Sequence, residues 1–572
     1  MKHYFLFLLL LLIHSGCKRF CKVPEECDRE SYLLGELETR TDYYRPFTLC
    51  NDIEDQIESI YLNNEEIDLD YGHQLEFEKS GFFEIIINYD DTEKKRDSLV
   101  FTLITEEREN AEWGIEAWVP VRFETGALPS CEIVSIYPRR YTEGMGVPFI
   151  FYLTDGGSLV DGYYRAGSST TDKEFYIKHG VGSIMLVSES IEETQNFMID
   201  DESLQFAMTK VEETPHELSG EITDDRIILE NTIVRITDNL TITSGASLTV
   251  NAGAILLVDE AVNILNDGPI SILGTKENPV LITCTEKEKY WGGFISNGES
   301  SIINASYTIF CQSGYHDTGD YTNWGHARRQ ALFYTSNSEL SLDHCYMLDH
   351  IGQIFYPHNA QLTLESILVQ RVKTSGQLNY TQASITNSIF TDFPDDTREY
   401  RDDDNDALYI SASNVTITDC IFMFAKDDGM DSGGNEGGTV TVSNTRFEAC
   451  FHEGSALSSQ NEVVKTHIFE NCIFYNCGQG LELGFSSPNH SVTAENCQFL
   501  NNYIGIRYGD NYTWSSVHGQ MYIRNSQSLD NGKDVWNMVR NQWAPRLENM
   551  HFENVEVSSY VEQYPDLEVI SN

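Results

Sequence analysis

A short frame recurs along the second half of the chain and constrains the fold more than any other feature. In each copy a small or polar residue precedes an aromatic or apolar residue by two positions, and the last residues of successive copies lie 21 to 32 residues apart. A β-rich repeat of this length is typical of a solenoid, and its Asn, Thr and Ile content excludes helical repeats. The sequence therefore predicts a parallel β-helix, in which each coil lies on the previous one at a spacing of about 4.8 Å. The copies are DHCYM (343–347), ESIL (365–368), TNSIF (386–390), TDCIF (418–422), SNTRF (443–447), ENCIF (470–474), ENCQF (495–499), RNSQS (524–528) and ENMHF (548–552).

The small residues of this frame are expected to stack inside the solenoid, because equivalent positions of successive coils lie above one another. The cysteines among them are therefore predicted to be buried thiols used in packing. Four other cysteines, in the N-terminal part, are candidates for disulfide pairing in an exported chain. The stacked positions are Ser366, Ser388, Cys420, Cys472, Cys497 and Ser526, and the N-terminal cysteines are Cys21, Cys27, Cys50 and Cys131.

A second alignment identifies one face of the solenoid. Its six segments are ND-ALY (405–409), DD-GMD (427–431), HE-GSA (452–456), GQ-GLE (478–482), YI-GIR (503–507) and GK-DVW (532–536). The fourth column is mostly apolar and so points inward, because side chains alternate along a strand. The third column, mostly glycine, then predicts a shallow outer floor. The fifth column predicts an outer stripe of Tyr409, Asp431, Glu482, Arg507 and Trp536, and the second column places Asp406, Asp428, Glu453 and Gln479 where each strand starts.

Carboxylates crowd this stripe on three successive coils. They are Asp406, Asp427, Asp428, Asp431 and Glu453. Like charges stacked on neighbouring coils repel unless a cation or a change in protonation relieves them. Two interpretations therefore remain open: a functional or metal-binding site, and a solvated acidic surface.

Residues 222–560 resemble the right-handed parallel β-helix proteins of the pectin-lyase-like superfamily. The stretch WGGFISNGESSIINASYTIF (291–310) is similar to a coil found in many exported bacterial members. The resemblance implies an all-β chain built around a right-handed parallel β-helix, with a polysaccharide as its partner.

Two motifs resemble those of the polygalacturonase-type glycoside hydrolases. DNDALYI and KDDGM place Asp406, Asp427 and Asp428 at the positions of that family's catalytic carboxylates. In the family these groups together protonate the leaving oxygen and activate water. The family's G-H-G motif would fall at 452–454, where the resemblance makes His452 and Glu453 candidates for substrate binding.

The same acidic stretch also resembles the calcium-binding D-D-x-x-D motif of one β-helix pectate lyase family. Asp427, Asp428 and Asp431, with Asp403 or Asp406 from the preceding coil, would then form an oxygen cage suited to Ca²⁺.

Elimination by a lyase also needs a base. Glu482 stands where that family has a lysine, and Arg507, one coil further on, is the alternative catalytic residue. Arg507 also begins an incomplete form of the hydrolases' R-x-K motif. Lys426 and Lys465 are weaker candidates, because exposed lysines are mostly unperturbed.

A third interpretation involves no chemistry. β-Helices of this type also occur as cell-surface proteins for glycan binding or adhesion. Tyr409 and Trp536 would then stack on sugar faces.

The segments outside the repeated region have a different sequence pattern. Residues 1–16 predict a signal peptide, because a short basic start precedes an apolar run too short to span a bilayer. Cys17 follows a stretch that resembles the end of a lipobox and is a candidate for lipidation. Residues 17–125 and 126–221 predict β-rich modules of sandwich type, the second with a polar connector from residue 190, and residues 561–572 predict a C-terminal tail.

The charge balance limits the classes of molecule that the protein can bind. The chain has 38 Lys and Arg against 89 Asp and Glu, a formal net charge of −51. Such a field repels nucleic acids and anionic membranes but not a neutral glycan. We therefore predict an exported monomer, secreted or held at the outer membrane or cell surface through Cys17, that acts on a polysaccharide and takes no cofactor other than Ca²⁺. Hydrolysis is favoured over elimination, and a non-catalytic glycan-binding protein is the alternative.

Overall fold

The computed structural model describes residues 127–557 with gaps, together with separate strands between residues 47 and 118. The predicted signal peptide, Cys17, Asp403 and the predicted C-terminal tail lie outside the described residues. In the described part of the chain, no helix is long and apolar enough to span a bilayer. The gaps are at 169–170, 172, 201, 213, 316–329, 394–404, 435–436, 451, 460–461, 503, 510–516, 532 and 538–548.

The chain divides into two compact units, residues 1–121 with 397–402, and the remainder. The first unit contains an antiparallel five-stranded sheet, as expected for the predicted N-terminal β module. The strands described in this unit are Phe47–Thr48, Ile57–Leu62, Glu65–Ile67, Gln74–Leu75, Gly81–Tyr89, Ser98–Thr105 and Ala117–Trp118.

The second unit begins with a β module around an aromatic core. Its eight-stranded sheet is antiparallel, and the rings of Phe149, Phe151 and Phe197 pack together inside it. The polar connector predicted from residue 190 is partly wrong, because 194–207 forms a hairpin whose alternate side chains enter this core. The eight strands are Glu132–Ile136, Gly146–Asp155, Ser158–Leu159, Tyr163–Ser168, Glu174–Lys178, Val181–Val187, Thr194–Ile199 and Glu202–Ala207. Arg140–Tyr141 and Thr209–Lys210 pair in parallel as a separate two-stranded sheet, and Ser188–Ser190 forms a 3₁₀ turn.

A parallel β-helix follows, as the repeat predicts. The 34 described strands pair in parallel from coil to coil. They are His216–Ile222, Arg226–Ile228, Ile233–Ile242, Leu248–Asn251, Ile255–Val258, Ile264–Asn266, Ile270–Leu273, Val280–Cys284, Phe294–Asn297, Ile302–Cys311, Ala331–Ser336, Glu339–His358, Gln361–Glu365, Leu368–Asn379, Gln382–Thr386, Ile389–Phe393, Leu408–Ser411, Asn414–Thr418, Ile421–Ala425, Met430–Ser432, Gly438–Ser443, Arg446–Glu448, Glu453–Ser459, Lys465–Glu470, Ile473–Tyr475, Gln479–Ser486, His490–Glu495, Gln498–Leu500, Ile504–Tyr508, Gln520–Arg524, Gln527–Leu529, Lys533–Asn537, Met550–Glu553 and Glu556–Val557.

Each coil contributes strands to three sheets. We call them sheet A, which contains Leu408–Ser411, sheet B, which contains Asn414–Thr418, and sheet C, which contains Ile421–Ala425, each with the strands stacked on it. A side chain on any strand therefore has counterparts directly above and below it.

The recurring frame forms the inner face of sheet C. Its aromatic positions stack with ring centroids 4.6 to 5.3 Å apart and planes within 12°. The predicted ladder of small residues is confirmed at five of its six positions, since Ser388, Cys420, Cys472, Cys497 and Ser526 are all buried. The stacked rings are Phe390, Phe422, Phe447, Phe474 and Phe499.

The copy of the frame predicted at ESIL (365–368) ends one residue too early. Val369, not Leu368, stacks between Met347 and Phe390. Ser366 consequently lies at the turn with a φ of 54°, not on the inner ladder. Most coils have Asn or Asp at this turn, residues that tolerate the left-handed conformation.

The second β module packs on the outer face of sheet C. Apolar side chains of both form one buried cluster, including Phe149 from the module and Leu348, Leu368, Ile389 and Met423 from sheet C. This contact explains why those sheet C positions are apolar although they point away from the solenoid interior.

Polar contacts continue the same interface. Ser183 Oγ donates to Gln370 Oε1 at 2.6 Å, and Lys178 Nζ lies 2.5 Å from Asp392 Oδ1.

Cys131, at the start of the module, forms no disulfide within the described residues, and Cys21, Cys27 and Cys50 lie outside them.

Candidate active site

The structure confirms the register predicted for sheet A. Every fourth-column residue pairs with its predicted neighbour, from the coil at 408 to the coil at 535. All of them are at most 4% exposed, so the column points inward as predicted. They are Leu408, Met430, Ser455, Leu481, Ile506 and Val535.

The fifth column also lies in register on the other side of sheet A. Tyr409 pairs with Asp431, and Glu482 pairs with Arg507, which pairs with Trp536. The column is more enclosed than an outer stripe would be, since Arg507 is 1% and Glu482 6% exposed. The side chain of Trp536 lies outside the described residues.

The third column does not form the predicted open floor. A Cβ added to Gly429 would lie 2.8 Å from Cys450 Sγ, and one on Gly454 would lie 2.8 Å from the ring of Phe474. These glycines face the interior aromatic stack at the corner between sheets C and A. Gly429 precedes the strand Met430–Ser432 and Gly454 is only the second residue of Glu453–Ser459, so strict alternation does not yet hold at this corner position.

The second column forms a continuous polar ladder. Asp406 Oδ1 accepts from the Asp428 backbone N–H at 3.4 Å, and Asp428 Oδ1 accepts from the Glu453 N–H at 2.8 Å. The Gln479 amide donates to Glu453, and Arg507 Nη1 donates to Gln479 Oε1 at 2.9 Å. Asp406 and Asp428 thus each hold the backbone of the following coil, and the four side chains of this column and Arg507 of the fifth column are all buried.

His452 brings three of the carboxylates together. Its Nδ1 lies 2.5 Å from Glu453 Oε2 and 3.4 Å from an oxygen of Asp427 and of Asp428. The imidazole side chain is 33% exposed, whereas those three carboxylates are at most 10% exposed. The sequence indicates this contact only indirectly, since His452 stands in the same alignment column as Asp427.

The surroundings shift the pKa values of these groups in opposite directions. Burial alone would raise the pKa of Asp428, but hydrogen bonds from Glu453 and His452 outweigh it and lower the pKa. Burial and the charge of Asp428 raise the pKa of Glu453 well above its usual range. Burial would lower the pKa of His452, but the neighbouring carboxylates hold it well above 6.5. Such opposed shifts are typical of acid and base pairs in active sites.

Asp431 lies at the edge of this cluster. Burial, followed by the charges of Asp428 and Asp427, raises the pKa of Asp431 well above its usual range. Its protonated form is therefore favoured, which relieves part of the repulsion expected from stacked carboxylates.

Three side chains could hold a metal ion. Asp427, Asp428 and His452 each offer one donor atom within 4.8 Å of the others, whereas no such group among the described residues includes Asp406 or Asp431. An imidazole nitrogen suits a transition metal better than Ca²⁺, which prefers six to eight oxygens. The predicted calcium site stays a prediction, and Asp403 lies outside the described residues.

The basic residues differ from expectation. Lys465 and Lys426 are 2% and 5% exposed, so neither is an exposed lysine. Lys465 points into the solenoid, its Nζ donates to the Gly433 carbonyl, and burial, opposed by Asp431, lowers its pKa to about 8. Arg507 Nε lies 3.5 Å from Glu482 Oε2, and this buried pair occupies both residues proposed as a base.

Comparison with known proteins agrees with this architecture. Pectate-lyase-like β-helix domains match residues 220–327, and right-handed β-helix regions match residues 378–528. The chain therefore contains a right-handed parallel β-helix of the pectin-lyase-like type, which indicates a polysaccharide-related protein. No curated protein and no solved structure matches the chain significantly.

Proposed function

We propose that the protein hydrolyses glycosidic bonds of a polysaccharide at the cluster of Asp427, Asp428, His452 and Glu453. One observation carries the proposal. The partly exposed His452 imidazole contacts three buried carboxylates, and two of these, Asp428 and Glu453, have pKa values shifted in opposite directions.

We assign a role to each group from its contacts. Protonated His452, the most exposed member, donates its proton to the leaving glycosidic oxygen, and Glu453 at 2.5 Å restores it. Ionised Asp428 accepts a proton from the water that attacks the anomeric carbon. Asp427 helps to hold the imidazole, and Asp406 orients Asp428 through the backbone ladder.

The test is release of reducing ends from neutral polysaccharides, with and without a chelator. Asp428→Asn should lower the rate by about 10²–10⁴-fold, the usual contribution of a general base. Asp267→Asn, an exposed carboxylate on an earlier coil, is the matched control and should keep full activity. If no glycan releases sugar and Asp428→Asn binds glycans unchanged, hydrolysis and elimination are both wrong and the non-catalytic interpretation gains.

Metal-assisted elimination is the second candidate, favoured by the three donor atoms of Asp427, Asp428 and His452 within 4.8 Å. In that case a chelator abolishes activity, Ca²⁺ or a transition metal restores it, and the products carry an ultraviolet-absorbing double bond. Activity that persists with the chelator and yields saturated products contradicts this candidate.

We also propose that the protein acts outside the cell, held by a lipid on Cys17, because the first sixteen residues have the pattern of a signal peptide. Cys17→Ser should move the protein from the membrane fraction to the soluble fraction. Equal distribution of both forms would contradict lipid anchoring.

A further inference from the structure

The fifth column of sheet A continues towards the N-terminus, and there it becomes aromatic. Tyr334 pairs with Tyr356, Gln377 pairs with Tyr409, and Tyr409 pairs with Asp431. Gln377 follows Tyr356 in the same register, because the pairs on either side of it are both offset by 21 residues. Three tyrosines and one glutamine therefore lead, coil by coil, to the acidic cluster.

The tyrosines point away from the solenoid interior. Their strand neighbours Phe333 and Phe355 are fully buried and stack with centroids 6.0 Å apart, whereas Tyr334 and Tyr356 are half-buried. The two tyrosine rings lie 5.9 Å apart and within 15° of parallel. Parallel strands are about 4.8 Å apart, so Tyr334, Tyr356 and Gln377 present one ring or amide per coil, whereas Tyr409 is only 7% exposed.

This pattern suits a chain of neutral sugars. An aromatic ring covers the apolar face of a sugar, and its hydroxyl group or a glutamine amide bonds to sugar hydroxyl groups. The column from Tyr334 to Tyr409 has no charged residue, and the net charge of −51 repels a polyanion. Four coils separate Tyr334 from Asp431, a distance of roughly 19 Å at the parallel-strand spacing.

We propose that Tyr334, Tyr356 and Gln377 form a binding track for a neutral glycan that runs along the solenoid axis and ends at the His452 cluster. The inference rests on the proposed function, because it names the substrate class and direction of that same site. It adds binding positions that lie up to four coils before the acidic cluster.

Binding and chemistry are separated by measuring affinity in an Asp428→Asn background. Tyr356→Ala and Tyr334→Ala should each weaken binding of soluble neutral oligosaccharides about tenfold, the size of a single well-made stacking contact. Tyr356→Phe should keep most of the affinity, because the ring remains. Tyr522→Ala is the matched control, since Tyr522 also stacks on a neighbouring ring but lies on sheet B.

The outcomes distinguish this inference from the proposed function. Unchanged affinity in both alanine variants, or tighter binding of a polyuronate than of a neutral chain, overturns the track even if Asp428→Asn abolishes hydrolysis. Weakened binding in both variants supports the track even where the wild-type protein hydrolyses nothing, which would count against the proposed function alone. Retained affinity in Tyr356→Phe assigns the binding to the ring, and an unchanged melting temperature in the alanine variants excludes misfolding as the cause of a loss.

Discussion

Glu448 joins the second β module to the β-helix, and its replacement by glutamine tests how firmly the two are held. The carboxylate is 1% exposed, accepts from the Tyr163 hydroxyl, contacts the Arg446 guanidinium and lies 3.0 Å from His179 Nε2. Breaking a buried ion pair by removing one partner costs about 3–5 kcal/mol. Glutamine still offers one acceptor oxygen, so we expect a loss of about 3 kcal/mol in the local free energy of opening, at the lower end of that range.

Native-state hydrogen exchange in the module strand Val181–Val187 measures this opening. A loss of about 3 kcal/mol corresponds to exchange roughly 100-fold faster. Glu470→Gln, an exposed carboxylate on the same β-helix, should change the opening free energy by less than about 0.5 kcal/mol. An effect of Glu448→Gln as small as that of the control would refute the reasoning.

The same contact has a definite pH dependence. Burial would lower the pKa of His179, but hydrogen bonds to Asp161 and Glu448 raise it above 6.5. The stabilisation that protonated His179 provides is therefore complete below pH 6.5 and is lost as the pH rises through the raised pKa. Burial would raise the pKa of Glu448, but contacts led by the hydrogen bond from His179 lower it, so its effect is present above 4.5 and is lost as the pH falls through the lowered value. The module should therefore be held most firmly between these two limits, and Glu448→Gln should abolish the part of the alkaline loss that comes from Glu448 and leave the part that comes from Asp161.

Three further changes test other parts of the molecule. Gly480→Ala should destabilise the protein by about 1–3 kcal/mol in thermal unfolding, because the new Cβ would lie 2.4 Å from the Gly505 carbonyl oxygen; an unchanged melting temperature would contradict the inward-facing corner. The free energy of unfolding of the wild-type protein should rise between about pH 8 and 10.5, because only the unfolded chain keeps Lys465 protonated in that range. Lys465→Met should remove that rise in urea unfolding. A rise of equal size in the variant would rule out Lys465 as its source. Activity should fall below pH 3.8, where Asp428 is protonated, and well above pH 6.5, where His452 loses its proton. The pH–rate profile should therefore be broad, and a sharp peak between these limits would contradict the assigned roles.

Much of sheet A could be predicted because its strands repeat without irregularity at the relevant columns. Leu408, Met430 and Leu481 recur with an apolar side chain between polar ones, and period-two alternation is enough to assign their side. The prediction was wrong at Gly429 and Gly454, because both lie at the corner, before or just at the start of their strands, where strict alternation does not yet hold.

The rest of the site depends on contacts that no local pattern records. His452 resembles an ordinary surface histidine until the fold brings Asp427 and Asp428 from the preceding coil beside it. Lys465 was misjudged because lysine is almost never fully buried, so composition alone argues for exposure. The partners of Glu448, His179 and Tyr163, lie more than 250 residues away in a different module, and neither periodicity nor spacing relates them.

The docking of the second β module on sheet C has a consequence for the order in which the chain is made. The module is synthesised before the coils that cover its apolar surface, and the last of these, at Met423, emerges only after most of the β-helix. Until then only earlier coils, such as those at Ile255, Leu281 and Ile309, cover the apolar surface of the module. A fragment that begins at His216 would therefore expose Leu348, Leu368 and Ile389 to water.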